Sequence, residues 1–225
     1  MKLYLPFAAL CGICCLILNG FFLSAMQKQL WRRAVWLKAA ASVCFVLIAL
    51  LAVLKKPENG YFLIAFLCGF AGDILLGLRY VYEKQKTLLF AIGALSFAAE
   101  HLLFILRFLH SPDTSLLFAL IYLAVTLAGA AVYTGIHKTN AGKLQPFGVL
   151  YIALVCFMSG LALSAAVRAP SVSSVLFGCG GILFAGSDVI LSEYNFGNDR
   201  RFLLSRLLHW LYFGAQLLIA GSLLF

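Results

Sequence analysis

The chain has 225 residues, 64% of them hydrophobic and only 11% charged, with a mean hydropathy of +1.01. Soluble domains carry roughly 45–50% apolar and 25% charged residues, so the composition excludes a soluble fold and points to a polytopic membrane protein. The net charge of +9 lies in short basic clusters between apolar runs. No basic patch joins exposed aromatics on a soluble domain, which excludes a nucleic-acid binder.

A membrane-spanning helix needs about 20 mostly apolar residues. Eight stretches qualify, at about 3–23, 35–54, 61–79, 88–109, 115–134, 145–167, 173–193 and 203–224. The first is longer than the apolar core of a signal peptide and is followed by further spans, so it reads as a retained helix. It carries Cys11, Cys14 and Cys15. With no second CxxC or histidine partner, these and the remaining cysteines read as small buried hydrophobes. The second span has Lys38 one turn inside its start, and ends at Lys55-Lys56-Pro57-Glu58-Asn59-Gly60, a loop signal. The third contains Gly69-Phe70-Ala71-Gly72-Asp73-Ile74-Leu75-Leu76-Gly77, a carboxylate set among glycines and leucines. A charge at membrane depth is costly, so Asp73 is a functional candidate. The fourth span carries Glu100 and His101 and stops before Ser111-Pro112-Asp113, with His110 at its end and His137 at the end of the fifth. Interfacial solvation accounts for those last two histidines.

The sixth span brings Tyr151 and Met158, read as packing residues, and breaks at Ala169-Pro170-Ser171. The seventh holds a second intramembrane aspartate, Asp188, in Phe184-Ala185-Gly186-Ser187-Asp188-Val189-Ile190-Leu191, and gives way to Asn195-Phe196-Gly197-Asn198-Asp199. The eighth carries His209 and Gln216. Backbone groups in lipid must be satisfied internally, which makes helices the natural spanning form; strand-like alternation is absent. The fold class is therefore all-α, a bundle of eight transmembrane helices forming a single domain over 1–225. A short internal repeat aligns Asp73 with Asp188 and His101 with Gln216, since His101 follows Asp73, and Gln216 follows Asp188, by 28 residues. An offset of 115 residues spans four helices, which allows two four-helix halves related by an axis along the membrane normal.

Orientation follows from the basic residues. Lys28, Arg32, Arg33, Arg79, Lys84, Lys86, Lys138, Lys143, Arg200 and Arg201 follow the odd spans, against Lys2, Lys55, Lys56, Arg107 and Arg168 on the other side, ten to five. The positive-inside rule then makes the odd connections cytoplasmic and puts both termini outside. In that frame Lys38, Asp73, Tyr151, Asp188 and His209 share the cytoplasmic half. Glu100, His101 and Gln216 sit nearer the midplane.

Two carboxylates buried in an apolar medium can divide the roles of proton donor and anion. The plainer reading pairs Asp73 and Asp188 with Lys38 or Arg206 as ion pairs that fix helix packing. His101 and His209 could ligate a metal with the aspartates, but no HxxxH or HExxH spacing exists, and the sequence requires neither metal nor cofactor. These histidines read better as hydrogen-bond partners of the carboxylates or of a head group. Lys38 either meets a phosphate or snorkels to the interface. The Gly69-Gly72 and Gly180-Gly181 positions fit close helix approach. No GxSxG elbow offers a nucleophile.

Taken together these residues resemble the YhhN family of lysoplasmalogenases, small eight-helix membrane proteins. The resemblance covers nearly the whole chain. It rests on Lys38, on Gly72-Asp73 with Leu75-Leu76, and on Phe97 with His101. It continues through Tyr151 and Met158, Phe184 and Ser187-Asp188, and Tyr212 with Ala215-Gln216-Leu217-Leu218-Ile219-Ala220. Two departures stand out: Ala39 follows Lys38 where the family usually has proline. Glu100 and Phe104 stand near His101 where glycine and tyrosine are common. The resemblance implies hydrolysis of the vinyl ether bond of a lysoplasmalogen, a lysophospholipid taken from the membrane, to a fatty aldehyde and glycerophosphocholine or glycerophosphoethanolamine. It implies Asp73 and Asp188 as the catalytic residues. Lys38, His101, Tyr151, His209 and Gln216 would bind or position, with Lys38 meeting the phosphate. The expected location is an integral membrane one, the inner membrane in a bacterium, with the aspartates toward the cytoplasmic half. Two other classes compete: a small proton-coupled transporter, whose intramembrane carboxylates and halves would look similar, and a non-catalytic lipid-binding protein.

Overall fold

The computed structural model describes residues 4–109, 111–137, 140–197 and 201–225, and for Lys143 the backbone alone. Lys2, His110, Lys138, Asn198, Asp199 and Arg200, which entered the loop and charge readings, lie outside the described residues, as does the Lys143 side chain. The described residues form eight helices and no strand: α1 (Tyr4–Gln27), α2 (Trp31–Lys55), α3 (Gly60–Leu78), α4 (Lys86–Leu109), α5 (Leu116–Ile136), α6 (Gln145–Arg168), α7 (Val172–Phe196) and α8 (Phe202–Ser222). All eight are long and apolar enough to cross a membrane. The chain is an integral membrane protein.

Helix ends follow local chemistry. Ser115 caps α5 by accepting from the Phe118 amide at 3.2 Å. Ser171 and Ser174 form a reciprocal capping box at the start of α7, so the first free amides of these helices are satisfied by side chains. Pro57 opens a 3₁₀ turn before α3, and Pro146 sits in the first turn of α6, where a missing N–H costs nothing. Helix α1 runs four residues past its expected end. It stops where Gln29 adopts φ 55°, the Leu30 amide donates to the Ala25 carbonyl at 2.9 Å, and the Gln29 amide donates to Met26 at 3.0 Å. This is a Schellman motif with glutamine in the left-handed place that glycine usually fills.

The chain divides into two compact units. One runs to Phe104 and includes Leu223–Phe225; the other is Ile105–Ser222. In the first, α1 packs on α2 and α2 on α3. Aromatic packing holds the interior: Phe66 meets Phe45 at 5.7 Å and Phe104 edge-on at 5.3 Å, all three fully buried. The Lys55 ammonium donates to the Leu224 carbonyl, tying residues 223–225 to the end of α2.

In the second unit α5 packs on α6, α6 on α7 and α7 on α8. Lipid tails are as apolar as the helices, so close backbone approach at small residues supplies the packing energy here. A methyl group at Gly180 would come within 2.6 Å of Ile219 Cγ1 and 3.0 Å of the Ala215 carbonyl oxygen on α8. One at Gly181 would lie 3.1 Å from Ser159 Cα on α6, and one at Gly160 3.1 Å from Ala119 Cα on α5. Arg107 donates to Ser173 at 3.1 Å, with its guanidinium over the rings of Phe108 and Phe177, which meet edge-on at 5.0 Å.

Candidate active site

In the first unit the buried polar residues gather where α2, α3 and α4 pack. Asp73 is fully buried. Lys38 Nζ lies 2.8 Å from its Oδ1, and the Ser42 hydroxyl donates to its Oδ2 at 2.5 Å, the short end of the range for a hydroxyl on a carboxylate. Lys38 and Ser42 are one turn apart, so both face α3, and the Ser42 hydroxyl also lies 2.9 Å from the Lys38 carbonyl oxygen. Both Asp73 oxygens are thus fixed, one by a cation and one by a neutral donor. Lys38 is 7% exposed: its ammonium stays on Asp73 instead of snorkelling to the interface. That is the ion-pair arrangement among the sequence alternatives.

Glu100 and His101, on α4, are also fully buried. The Glu100 carboxylate lies against α3 at Gly69, where a methyl group would fall within 2.5 Å of Oε1; Phe97 fills the matching space at Gly72. The two glycines therefore admit α4 side chains against the α3 backbone. The His101 ring meets Phe104 at 6.3 Å, tilted 65°. On α1, Asn19 is fully buried and its side-chain amide has no hydrogen-bond partner among the described residues.

In the second unit the Tyr151 hydroxyl on α6 donates to Asp188 Oδ2 on α7 at 2.9 Å. Asp188 is 5% exposed. Tyr151 is thus a hydrogen-bond donor to the carboxylate, beyond the packing role its aromatic ring suggests. Gln216 is fully buried on α8, with its amide donating to the Tyr212 hydroxyl one turn earlier at 3.3 Å. His209 Nδ1 lies 2.7 Å from the Ser205 carbonyl oxygen; a carbonyl can only accept, so Nδ1 carries the proton. In each unit the helix preceding the aspartate supplies a donor to it, α2 for Asp73 and α6 for Asp188.

Three features were not read from the sequence. Ser42 gave no signal, because a lone serine in an apolar helix usually bonds its own backbone. Glu193, fully buried in the last turn of α7, faces His137 Nδ1 at 3.7 Å. His137 therefore has a carboxylate neighbour as well as solvent. An acid next to the end of an apolar span was the available sign. Glu100 was noticed beside His101, but its seat against Gly69 requires knowing which helix α4 packs on. Among the described residues no group of three or more His, Cys, Asp or Glu side chains is spaced to hold a metal ion.

Eight membrane-length helices with hydrogen-bonded carboxylates buried inside them define an integral membrane protein built to hold ionisable groups away from water. Residues 33–223 match the sequence profile of the YhhN family, and the chain belongs to that family. Neither the curated proteins nor the solved structures compared with it gave a match.

Proposed function

We propose that the protein is a lysoplasmalogenase-type hydrolase that cleaves the vinyl ether bond of lysophospholipids drawn from the membrane. Such a bond is broken by adding a proton to the vinyl β-carbon. The resulting oxocarbenium ion is captured by water, which loses a proton, and the hemiacetal collapses to aldehyde and glycerophospho-alcohol. The reaction needs a proton donor and an anion beside the developing cation, as glycoside hydrolysis does. The observation that carries the reading is the buried Asp188 carboxylate, 5% exposed and accepting a hydrogen bond from the Tyr151 hydroxyl at 2.9 Å. In this reading Asp73 and Asp188 are the candidates for these two roles. His101, His209 and Gln216 position these groups, and no serine or cysteine nucleophile is needed.

The purified protein in detergent is expected to release aldehyde from lysoplasmalogen and none from the saturated ether lysolipid. Asp188→Asn and Asp73→Asn should each lower turnover by about 10²–10⁴-fold, the usual contribution of one acid–base group. Full activity in both folded variants would remove the aspartates from the chemistry. No aldehyde from folded wild type, with uptake of substrate into proteoliposomes, would favour a carrier.

A further inference from the structure

The turn after α1 and the end of α3 enclose an open groove of about 630 Å³, lined by Leu30, Trp31, Arg32, Arg33, Tyr80 and Val81. No acidic residue lines it, and Arg32 and Arg33 are exposed with their guanidinium forks available. One wall of it is aromatic. Trp31 stacks on Tyr80 at 5.1 Å and 14°; Arg79 donates to the Tyr80 hydroxyl at 2.8 Å and lies over the Tyr80 and Phe90 rings. Paired arginines beside fixed aromatics suit a phosphate, which guanidinium groups bind two oxygens at a time.

Register joins this groove to the buried carboxylate. Trp31 precedes Lys38 by seven residues and Tyr80 follows Asp73 by seven. Along α2 seven residues are two helical turns, and Tyr80 lies two residues beyond the end of α3, so the Trp31–Tyr80 stack sits about 10 Å from the level of Lys38, with Val35 packed at Gly77 between them. Trp and Tyr favour the level of lipid head groups, so the phosphate end lies at the interface and the ether end inside.

We infer that Arg32 and Arg33, on the Trp31–Tyr80 wall, form the recognition site for the phosphodiester of a membrane glycerophospholipid. This rests on the substrate class proposed above and assigns the phosphate to Arg32 and Arg33, leaving Lys38 to Asp73. The competing account is that these arginines only set orientation across the membrane.

Binding separates the two without turnover. The full-length protein in detergent is titrated with saturated ether lysophosphatidylcholine, which has no vinyl ether to hydrolyse, and then with inorganic phosphate. The lysolipid is expected to bind wild type. Arg32→Gln/Arg33→Gln should weaken it about tenfold or more, the factor set by losing a charge-assisted hydrogen bond. Arg32→Lys/Arg33→Lys, which keeps the charge and guards against a folding defect, should recover part of it. Unchanged lysolipid affinity in a folded Gln variant overturns the site. Displacement of lysolipid by inorganic phosphate at equal concentration overturns the assignment to a lipid and leaves an ion site. Arginine-dependent binding with no aldehyde from lysoplasmalogen retains this site and removes the hydrolase reading. Hydrolysis with an unchanged KM in the Gln variant does the reverse.

Discussion

The Lys38–Asp73 pair sets the energetics of the first unit. Burying two charges is expensive, and their attraction repays it only when the geometry is good and the remaining lone pairs are filled. Here the ammonium is at 2.8 Å and Ser42 takes the second carboxylate oxygen. Lys38→Met removes the cation and leaves the buried carboxylate facing an apolar chain. It is expected to cost about 3–5 kcal/mol, while Lys38→Met/Asp73→Asn should regain most of that, because both charges are gone. Thermal unfolding of the two variants in one detergent checks it, and equal losses in both would mean that the stranded carboxylate is not what destabilises Lys38→Met. Lys38 and Asp73 were visible in the sequence because charges are rare in apolar spans. Their pairing was one of two open arrangements, since a single helix does not record which neighbour it meets. Ser42 was invisible for the reason that makes it useful: it is small and neutral.

At the scale of single helices, glycine is placed by what faces it. Gly180 and Gly186 share α7, yet a methyl group at Gly180 would lie 2.6 Å from Ile219 Cγ1 and 3.0 Å from backbone, whereas at Gly186 nothing lies within 4 Å. Gly180→Ala is therefore expected to destabilise by about 1–3 kcal/mol through overpacking. Gly186→Ala should stabilise by about 0.5–1 kcal/mol, as alanine does in an open helix interior. Melting temperatures shifting in opposite directions would confirm the contrast; shifts of one sign would not. The sequence marked Gly180-Gly181 as a point of close approach without separating Gly186 from it, because the partner helix decides. Span boundaries were legible to within a few residues, since proline, glycine and serine punctuate them. The end of α1 was missed because Gln29 takes a backbone conformation that its residue type does not announce.

For the whole molecule, the class and the number of spans followed from composition, because a bilayer leaves the backbone no other solution. Family membership across residues 33–223 agrees with motifs scattered over most of the helices. The order of packing within each unit did not follow, since apolar faces in lipid are alike and small side chains choose among them. The charge of the Lys38–Asp73 pair has a consequence for the protein in an energised membrane. A transmembrane voltage of 100 mV does about 2.3 kcal/mol of work on each elementary charge moved across it. An ammonium and a carboxylate 2.8 Å apart are pulled in opposite directions and feel almost no net force. The hydrolysis proposed above should thus proceed at the same rate in proteoliposomes with or without an imposed potassium diffusion potential of about 100 mV. A proton-coupled carrier would instead change its rate with the sign of that voltage, because charge would cross the field on every cycle.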